Sequence, residues 1–200
     1  MTDLSIAILC GGDSSRFGED KTRVEVDGIP LYKLIWSKLE GKSDDVFLQI
    51  DPGDEYDLPA RPDLVSEGGP LGAIYSALAH AEHDWLFVSA CDLPYLDSRI
   101  VDELFLRTEE GTEVVIPRWK SGYLEPLTAL YHSSVLSRLE NILEGGTRKI
   151  TDFLDQLDHV KEVSVEGLVE DGKLNSNCFF NVNEREDIEG LGLSQSDHSG

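Results

Sequence analysis

The sequence predicts an α/β domain of three layers, in which helices cover both faces of a mostly parallel sheet. Short apolar runs such as residues 4–9 and 85–89 alternate along the chain with segments whose apolar residues follow helical spacing. A predicted hairpin late in the chain, with its second arm at residues 123–131, indicates one antiparallel strand. We predict one domain over residues 1–190 and a flexible tail, rich in Gly and Ser, over residues 191–200.

Strands and helices alternate through the first half of the chain. The strands are short apolar runs, and an Asp-Gly pair indicates a turn after the second of them. Pro30 suits the first position of a helix, and apolar residues follow it at helical spacing. Residues 51–62 are rich in Pro and Asp, which predicts a surface connection. In order, we predict strands at residues 4–9, 22–28, 46–50 and 64–65, and helices at residues 31–39 and 71–81.

The second half of the chain continues this alternation. Residues 85–89 are apolar throughout, which predicts a central strand that is covered on both faces. Residues 160–165 alternate between apolar and polar side chains, as an edge strand does. In order, we predict strands at residues 85–89, 114–116, 123–131, 160–165 and 179–183, and helices at residues 100–105, 135–143 and 152–154.

A glycine-rich segment from Leu9 to Lys21 follows the first strand directly and reads LCGGDSSRFGEDK. Glycines let the backbone approach a ligand closely, and Arg16 and Lys21 add cationic side chains. A strand that opens into such a loop suits phosphate binding. The spacing matches neither a P-loop nor the G-x-G-x-x-G dinucleotide fingerprint, and an ordinary turn is the alternative interpretation.

Asp92 follows the predicted central strand, within the segment Ala90-Cys91-Asp92-Leu93-Pro94. Ligands bind open parallel sheets at the carboxyl ends of the strands, so this acid lies where an active site is expected. Asp97 and Ser98 stand nearer the start of the next helix and suit its cap better than Asp92 does. We therefore favour a metal ligand as the role of Asp92.

Composition and charge exclude several classes of partner. The net charge of −22 argues against nucleic acid, whose binding depends on basic patches. No apolar run approaches the roughly 20 residues that cross a bilayer, and no leader pattern is present, so we expect a cytoplasmic protein without membrane contact. Three cysteines, far apart in the chain, suit neither a disulfide framework nor a zinc site.

Five motifs, in order, resemble those of the molybdenum cofactor guanylyltransferase family and extend over nearly the whole chain. The loop matches L-x-G-G-x-S-x-R-x-G-x-D-K, with Cys10 and Phe17 where the family usually has Ala and Met. The other four motifs read GPLGAI from Gly69, CDLPYL from Cys91, GYLEPLTALY from Gly122 and FFNVN from Phe179. After the last one this chain has Glu184-Arg185, where the family generally continues with Thr-Pro.

The resemblance implies a Rossmann-like nucleotidyltransferase domain that transfers GMP from GTP to the terminal phosphate of molybdopterin or its molybdenum form, releasing pyrophosphate. It implies Mg²⁺ as the cofactor with Asp92 as its ligand, and catalytic roles for Lys21 and Arg16 beside the triphosphate and the departing pyrophosphate. The implied nucleotide-binding residues are Leu9, Cys10, Gly11, Gly12, Lys21 and Asp92, and the implied acceptor-binding residues are Glu125, Pro126, Asn181 and Asn183. It also implies transient contacts with other cofactor-biosynthesis proteins or apo-molybdoenzymes.

The residues that would select the base match the family less closely. Its guanylyl members place an Asn after the second core strand and an Asp before the G-P-L motif, where this chain has Gln49-Ile50-Asp51 and Ser66-Glu67-Gly68. A related enzyme that uses CTP or another phosphorylated acceptor therefore stays open, as does a nucleotide-binding regulator without catalysis. A sugar transferase that uses a nucleotide sugar would normally show an Asp-x-Asp motif, whereas the segment around Asp92 has a single Asp.

Overall fold

The computed structural model describes residues 3–11, 21–65, 68–182 and 187. Its strands are β1 (Ser5–Leu9), β2 (Glu25–Val26), β3 (Ile29–Pro30), β4 (Asp45–Ile50), β5 (Ala60–Pro62), β6 (Trp85–Ala90), β7 (Val114–Arg118), β8 (Thr128–His132) and β9 (Val160–Ser164). Its α-helices are α1 (Leu31–Leu39), α2 (Gly69–His80), α3 (Arg99–Phe105), α4 (Leu136–Glu144), α5 (Ile150–Leu154) and α6 (Val165–Glu170). Short 3-10 turns occupy Lys21–Arg23 and Ser133–Val135.

Seven strands form one sheet in the order β5-β4-β1-β6-β8-β7-β9. Strand β8 is antiparallel to both of its neighbours, and every other pair in this sheet is parallel. Helices join the parallel strands β1, β4 and β6, because a parallel connection has to cross from one end of the sheet to the other. The mostly parallel sheet with one antiparallel strand is therefore confirmed.

The helices form two layers that bury opposite faces of the sheet. On one face, Ile6 and Ile8 pack in a core with residues of α1, α3 and α6, such as Ile35 of α1. On the other face, Ala7 and Leu9 pack in a second core with residues of α2, α4 and α5. All five residues of β1 are buried, as an apolar run without alternation predicts for a strand covered on both sides.

A two-stranded hairpin of β2 and β3 lies outside the large sheet and leads into α1. Asp27 and Gly28 form its turn with φ angles of 52° and 79°. Two successive positive φ angles are typical of the tight turn that Asp-Gly favours. The predicted turn is therefore confirmed, and Pro30 precedes the first residue of α1 as its cap.

Several details of the predicted elements are wrong. The predicted strand over residues 22–28 is a 3-10 turn followed by the two-residue strand β2, and the predicted strand over residues 123–131 is confined to Thr128–His132. The strand beside β4 is Ala60–Pro62 rather than Leu64–Val65, and an edge strand tolerates its proline because one side of it needs no hydrogen-bonding partner. Helix α6 was not predicted, because its sequence VEGLVE contains a glycine and few apolar side chains. Residues 179–182 form no strand, because the chain turns repeatedly from Asn175 to Phe180 and makes only isolated backbone hydrogen bonds.

Within the described part of the chain, no helix is long and apolar enough to cross a membrane. The predicted tail, residues 191–200, lies outside the described residues.

Candidate active site

The carboxyl ends of β1, β4 and β6 lie side by side at one edge of the sheet. Leu9, the last residue of β1, is in register with Gln49 of β4 and with Ala90 of β6. Three loops therefore leave the sheet next to one another, and they carry the segment after Leu9, the segment after Ile50, and Asp92. Ligands bind open parallel sheets at such an edge.

The start of the glycine-rich loop is fixed against β4. The Cys10 N–H donates to the Gln49 carbonyl oxygen at 2.8 Å, and both Leu9 and Cys10 are buried. A Cβ on Gly11 would lie 2.9 Å from Oδ1 of Asp51, so glycine allows the backbone to run close to this side chain. Gly12 and Arg16 lie outside the described residues.

The far end of the loop continues into the 3-10 turn Lys21–Arg23. Thr22, in the middle of this turn, is buried, while Arg23 is exposed. The side chain of Lys21 is not among those that the structure describes, so its predicted contact with the triphosphate stays a prediction.

Asp92 lies two residues beyond the end of β6 and is half-buried. Its carbonyl oxygen accepts a hydrogen bond from the Val182 N–H at 2.9 Å. This bond brings the C-D-L-P motif against the F-F-N-V-N motif and places the exposed Asn181 beside the Asp92 loop. Asn183 lies outside the described residues.

The Glu125-Pro126 segment is held beside the same loop. The Ala90 N–H donates to the Leu127 carbonyl at 2.8 Å, and the Tyr131 hydroxyl donates to the Pro126 carbonyl at 2.7 Å. Burial raises the pKa of the half-buried Glu125 carboxyl, and the negative charge of Asp92 adds to this increase. Two of the predicted functional carboxyl groups, from separate motifs, therefore lie within electrostatic reach of each other.

Trp119 is a site residue that the sequence analysis did not identify. Its indole N–H donates to Oε1 of Glu125 at 2.7 Å, which partly offsets the effect of burial on the pKa of that carboxyl. Its ring also meets the ring of Phe179 edge-on, with 5.7 Å between centroids and 72° between planes. Trp119 thus connects the motif around Glu125 to the last motif. The sequence signal for this role was a tryptophan in the otherwise polar segment that follows β7.

Gln49 and Asp63 form a second group of polar side chains, and of these two residues the sequence motifs indicated only Gln49. Gln49 is 1% exposed, and its amide nitrogen donates to Oδ1 of Asp63 at 2.7 Å. Its amide oxygen accepts no hydrogen bond from the residues that the structure describes. Burial raises the pKa of Asp63, the bond from Gln49 lowers it, and the charge of Asp51 raises it.

Helix α2 positions this second group. The Leu64 N–H donates to the Ser76 hydroxyl at 2.9 Å, and that hydroxyl donates to the Gly72 carbonyl at 2.8 Å. Gly68, before the helix, lies so close to its first turn that a Cβ there would be 2.6 Å from Cα of Gly72. The family motif has its Asp just before G-P-L, where this chain reads Ser66-Glu67-Gly68, whereas the structure places Asp63 next to Gln49.

The donor set suits a magnesium ion that is shared with a substrate. Mg²⁺ commonly binds to one or two carboxylates together with substrate phosphates, rather than in a cage of protein ligands. Asp92, on the loop after β6, is such a carboxylate. Among the described residues no cluster of three or more acidic, His or Cys side chains could hold a metal by itself.

Known proteins match this chain over most of its length. Residues 6–160 match the family model described as the MobA-like NTP transferase domain. A probable molybdenum cofactor guanylyltransferase of Pyrococcus furiosus is 35% identical over 193 residues, which cover 92% of this chain and 94% of that protein. The molybdenum cofactor guanylyltransferase of Vibrio atlanticus is 32% identical over 209 residues, with 97% and 98% of the two chains covered.

Solved structures resemble the fold as well. Molybdopterin-guanine dinucleotide biosynthesis protein A from Archaeoglobus fulgidus superposes with a TM-score of 0.79 at 28% identity, covering 93% of this chain and 95% of that one. A 2-C-methyl-D-erythritol 4-phosphate cytidylyltransferase from Thermus thermophilus has a TM-score of 0.66 at 13% identity, with 94% and 96% covered, which is a likeness of fold alone. The chain belongs to the MobA-like NTP transferase family and is a nucleotidyltransferase of that fold.

Proposed function

We propose that this protein transfers GMP from GTP to the terminal phosphate of molybdopterin, or of its molybdenum form, and releases pyrophosphate. The observation that supports this most directly is the meeting of three motifs around Asp92. The Val182 N–H bonds to the Asp92 carbonyl, and Glu125 lies within reach of the Asp92 charge. The names of the relatives from P. furiosus and V. atlanticus support the same activity.

In the proposed reaction, an oxygen of the acceptor phosphate attacks the α-phosphorus of GTP. The bond from that phosphorus to its bridging oxygen breaks, and the electron pair leaves with pyrophosphate. A phosphate acceptor is already ionised near neutral pH, so a strong general base is not required. Positioning two anions and stabilising the charge on the leaving group are then the main tasks of the protein.

Each group of residues has a part in these tasks. The backbone around Leu9, Cys10, Gly11 and Gly12 would hold the nucleoside, while Lys21 and Arg16 would neutralise the triphosphate and the pyrophosphate. Glu125, Pro126, Asn181 and Asn183 would orient the acceptor. Asp92 would hold Mg²⁺, which supplies positive charge to phosphate oxygens when it is bound.

The pair of Gln49 and Asp63 supports guanine as the base. Guanine presents N–H donors at N1 and N2, and a carboxylate or an amide oxygen accepts from such donors. The half-buried Asp63 carboxylate would accept from the base, while the buried Gln49 holds that carboxylate in place by donating from its amide nitrogen to Oδ1. Cytosine presents a single amino group on the corresponding edge, so it would use these acceptors less fully.

Pyrophosphate release in the presence of Mg²⁺, measured with each of GTP, CTP, ATP and UTP, with and without molybdopterin, tests the proposal. We expect release that needs both GTP and molybdopterin. Faster pyrophosphate release with CTP than with GTP would show that the enzyme prefers cytosine as the base. Binding of GTP without release under any condition would indicate a regulator that has lost catalysis.

A further inference from the structure

We propose that Tyr56 is a positioning residue that fixes the turn beginning at Lys21 against the carboxyl end of β1. This inference rests on the proposed function, because it assigns to Tyr56 the placement of a residue that would bind the triphosphate. Tyr56 lies between β4 and β5, in the stretch that the sequence marks only as a surface connection.

The Tyr56 hydroxyl contacts both sides of the glycine-rich segment. It lies 2.7 Å from Oγ1 of Thr22 and 3.5 Å from the carbonyl oxygen of Cys10. The two hydroxyl protons suit one consistent arrangement, in which Thr22 donates to Tyr56 and Tyr56 donates to Cys10. Thr22 is 5% exposed and Cys10 is 3% exposed, so water competes little for these contacts.

Arg23, the last residue of the same turn, is held by the same stretch of chain. Its guanidinium lies over the Tyr56 ring, 4.7 Å from the centroid, and donates to the Glu55 carbonyl at 2.6 Å. Two of the three residues in the turn Lys21–Arg23 are therefore attached to Glu55 and Tyr56.

Tyr56 is itself anchored to helix α1. Its ring meets that of Tyr32 edge-on, with 5.0 Å between centroids and 82° between planes. The Tyr32 hydroxyl donates to Oδ1 of Asp57 at 2.8 Å, and this ties the residue after Tyr56 to the same helix. Tyr56 therefore connects helix α1 to the turn Lys21–Arg23.

The position of this turn matters because a lysine side chain is long and flexible. A fixed Cα reduces the freedom that the Lys21 ammonium must lose when it binds a triphosphate. Small misplacements of a binding group can lower rates about 100-fold.

Four variants test this role: Tyr56→Phe, Thr22→Val, the double variant, and Tyr75→Phe on α2 as a matched control that removes a tyrosine hydroxyl elsewhere in the fold. We expect Tyr56→Phe and Thr22→Val each to raise KM for GTP about tenfold, typical of losing one hydrogen bond. The double variant should lose no more than Tyr56→Phe alone, because the bond that Thr22→Val removes is already absent in Tyr56→Phe. Tyr75→Phe should keep KM within about twofold, since its hydroxyl lies 3.5 Å from Oε1 of Glu140 on α4 and does not contact the turn. A loss of folded protein alone would lower kcat and leave KM unchanged.

Hydrogen exchange without nucleotide provides a readout that does not depend on activity. In Tyr56→Phe, the amides of residues 22–24 should exchange about tenfold faster than in the wild type, while those of β6 stay unchanged. Unchanged exchange at residues 22–24 would overturn the inference, and so would equal losses in Tyr75→Phe and Tyr56→Phe. If the wild type released no pyrophosphate from any nucleotide, the proposed function would fail while the exchange rates still decided whether Tyr56 holds the turn.

Discussion

The backbone N–H of Val182 donates a hydrogen bond to the carbonyl oxygen of Asp92, with 2.9 Å between the nitrogen and the oxygen. This bond places the last motif of the chain on the loop that follows the central strand β6. Because it involves only backbone atoms, it persists when the Asp92 side chain is changed. The chemical role of that carboxyl group can therefore be tested with the local structure kept in place.

Asp92→Asn should reduce Mg²⁺-dependent pyrophosphate release by at least about 100-fold, as expected when a charged group that stabilises the reaction is lost. The thermal unfolding midpoint should stay close to that of the wild type. Asp102→Asn is the matched control, because Asp102 lies on α3, away from the site, and forms a surface ion pair with Lys42. Full activity of Asp92→Asn would remove this residue from the mechanism.

Lys21→Ala should lower kcat/KM for GTP about 100-fold, since the triphosphate would lose one charge-stabilising group. The matched control is Lys161→Ala, because Lys161 is an exposed lysine on the edge strand β9 that pairs with Glu109. Steady-state kinetics with both variants separate the local effect from a general change in net charge. Similar kinetics for the two variants would place Lys21 outside the site.

Asp63→Asn should weaken the preference for GTP over CTP about tenfold or more, because a carboxylate that accepts from the base becomes a neutral amide. The asparagine oxygen can still accept from Gln49, so the pair itself stays intact. The ratio of kcat/KM values for the two nucleotides is the measurement, with the exposed Asp158→Asn as control. An unchanged ratio would show that the base is read elsewhere.

His83 should make stability depend on pH near neutrality. Its two ring nitrogens lie 2.9 Å from carboxylate oxygens of Asp3 and Asp44, at the edge of the sheet opposite the site. The hydrogen bond to Asp44 is the largest cause that raises the pKa of His83 above its ordinary value of 6.5, and the neighbouring charges add to it. The protonated ring therefore stabilises the fold fully below about pH 6.5, and this contribution is lost as the pH rises through the higher pKa of the folded state.

Thermal unfolding between about pH 6 and about pH 8 measures this effect. The wild type should lose more stability over this interval than His83→Gln, which cannot become charged. His159→Gln, an exposed histidine before β9, should keep the wild-type dependence. Equal pH dependence of wild type and His83→Gln would contradict the assignment.

The order of strands and helices was largely predictable because each element carries its own pattern of apolar residues. The errors fall where that pattern is weak. Strand β5 includes exposed residues and Pro62, and it exists because β4 offers a parallel partner at its edge. Helix α6 buries only Val165 and Leu168, which is too little for periodicity to reveal.

For the candidate site, the sequence indicated single residues but not the pairs that they form. Asp92 and Glu125 were identified from motifs and from the position of strands along the chain. The indole of Trp119 beside Glu125 and the amide of Gln49 beside Asp63 were not, because each pair joins side chains from different segments. The contacts of Tyr56 with Thr22 and Cys10 were not predictable either, since they also join different segments.

The sequence by itself determined the alternation of strands and helices, the motifs, and their order along the chain, since these depend on local side-chain chemistry and spacing. Only the tertiary structure decided which groups meet at the carboxyl edge: Val182 with Asp92, Trp119 with Glu125, and Tyr56 with Thr22. Such contacts depend on how the layers pack and where the loops cross. The pattern of residues within a single segment does not indicate which residues of other segments lie beside it.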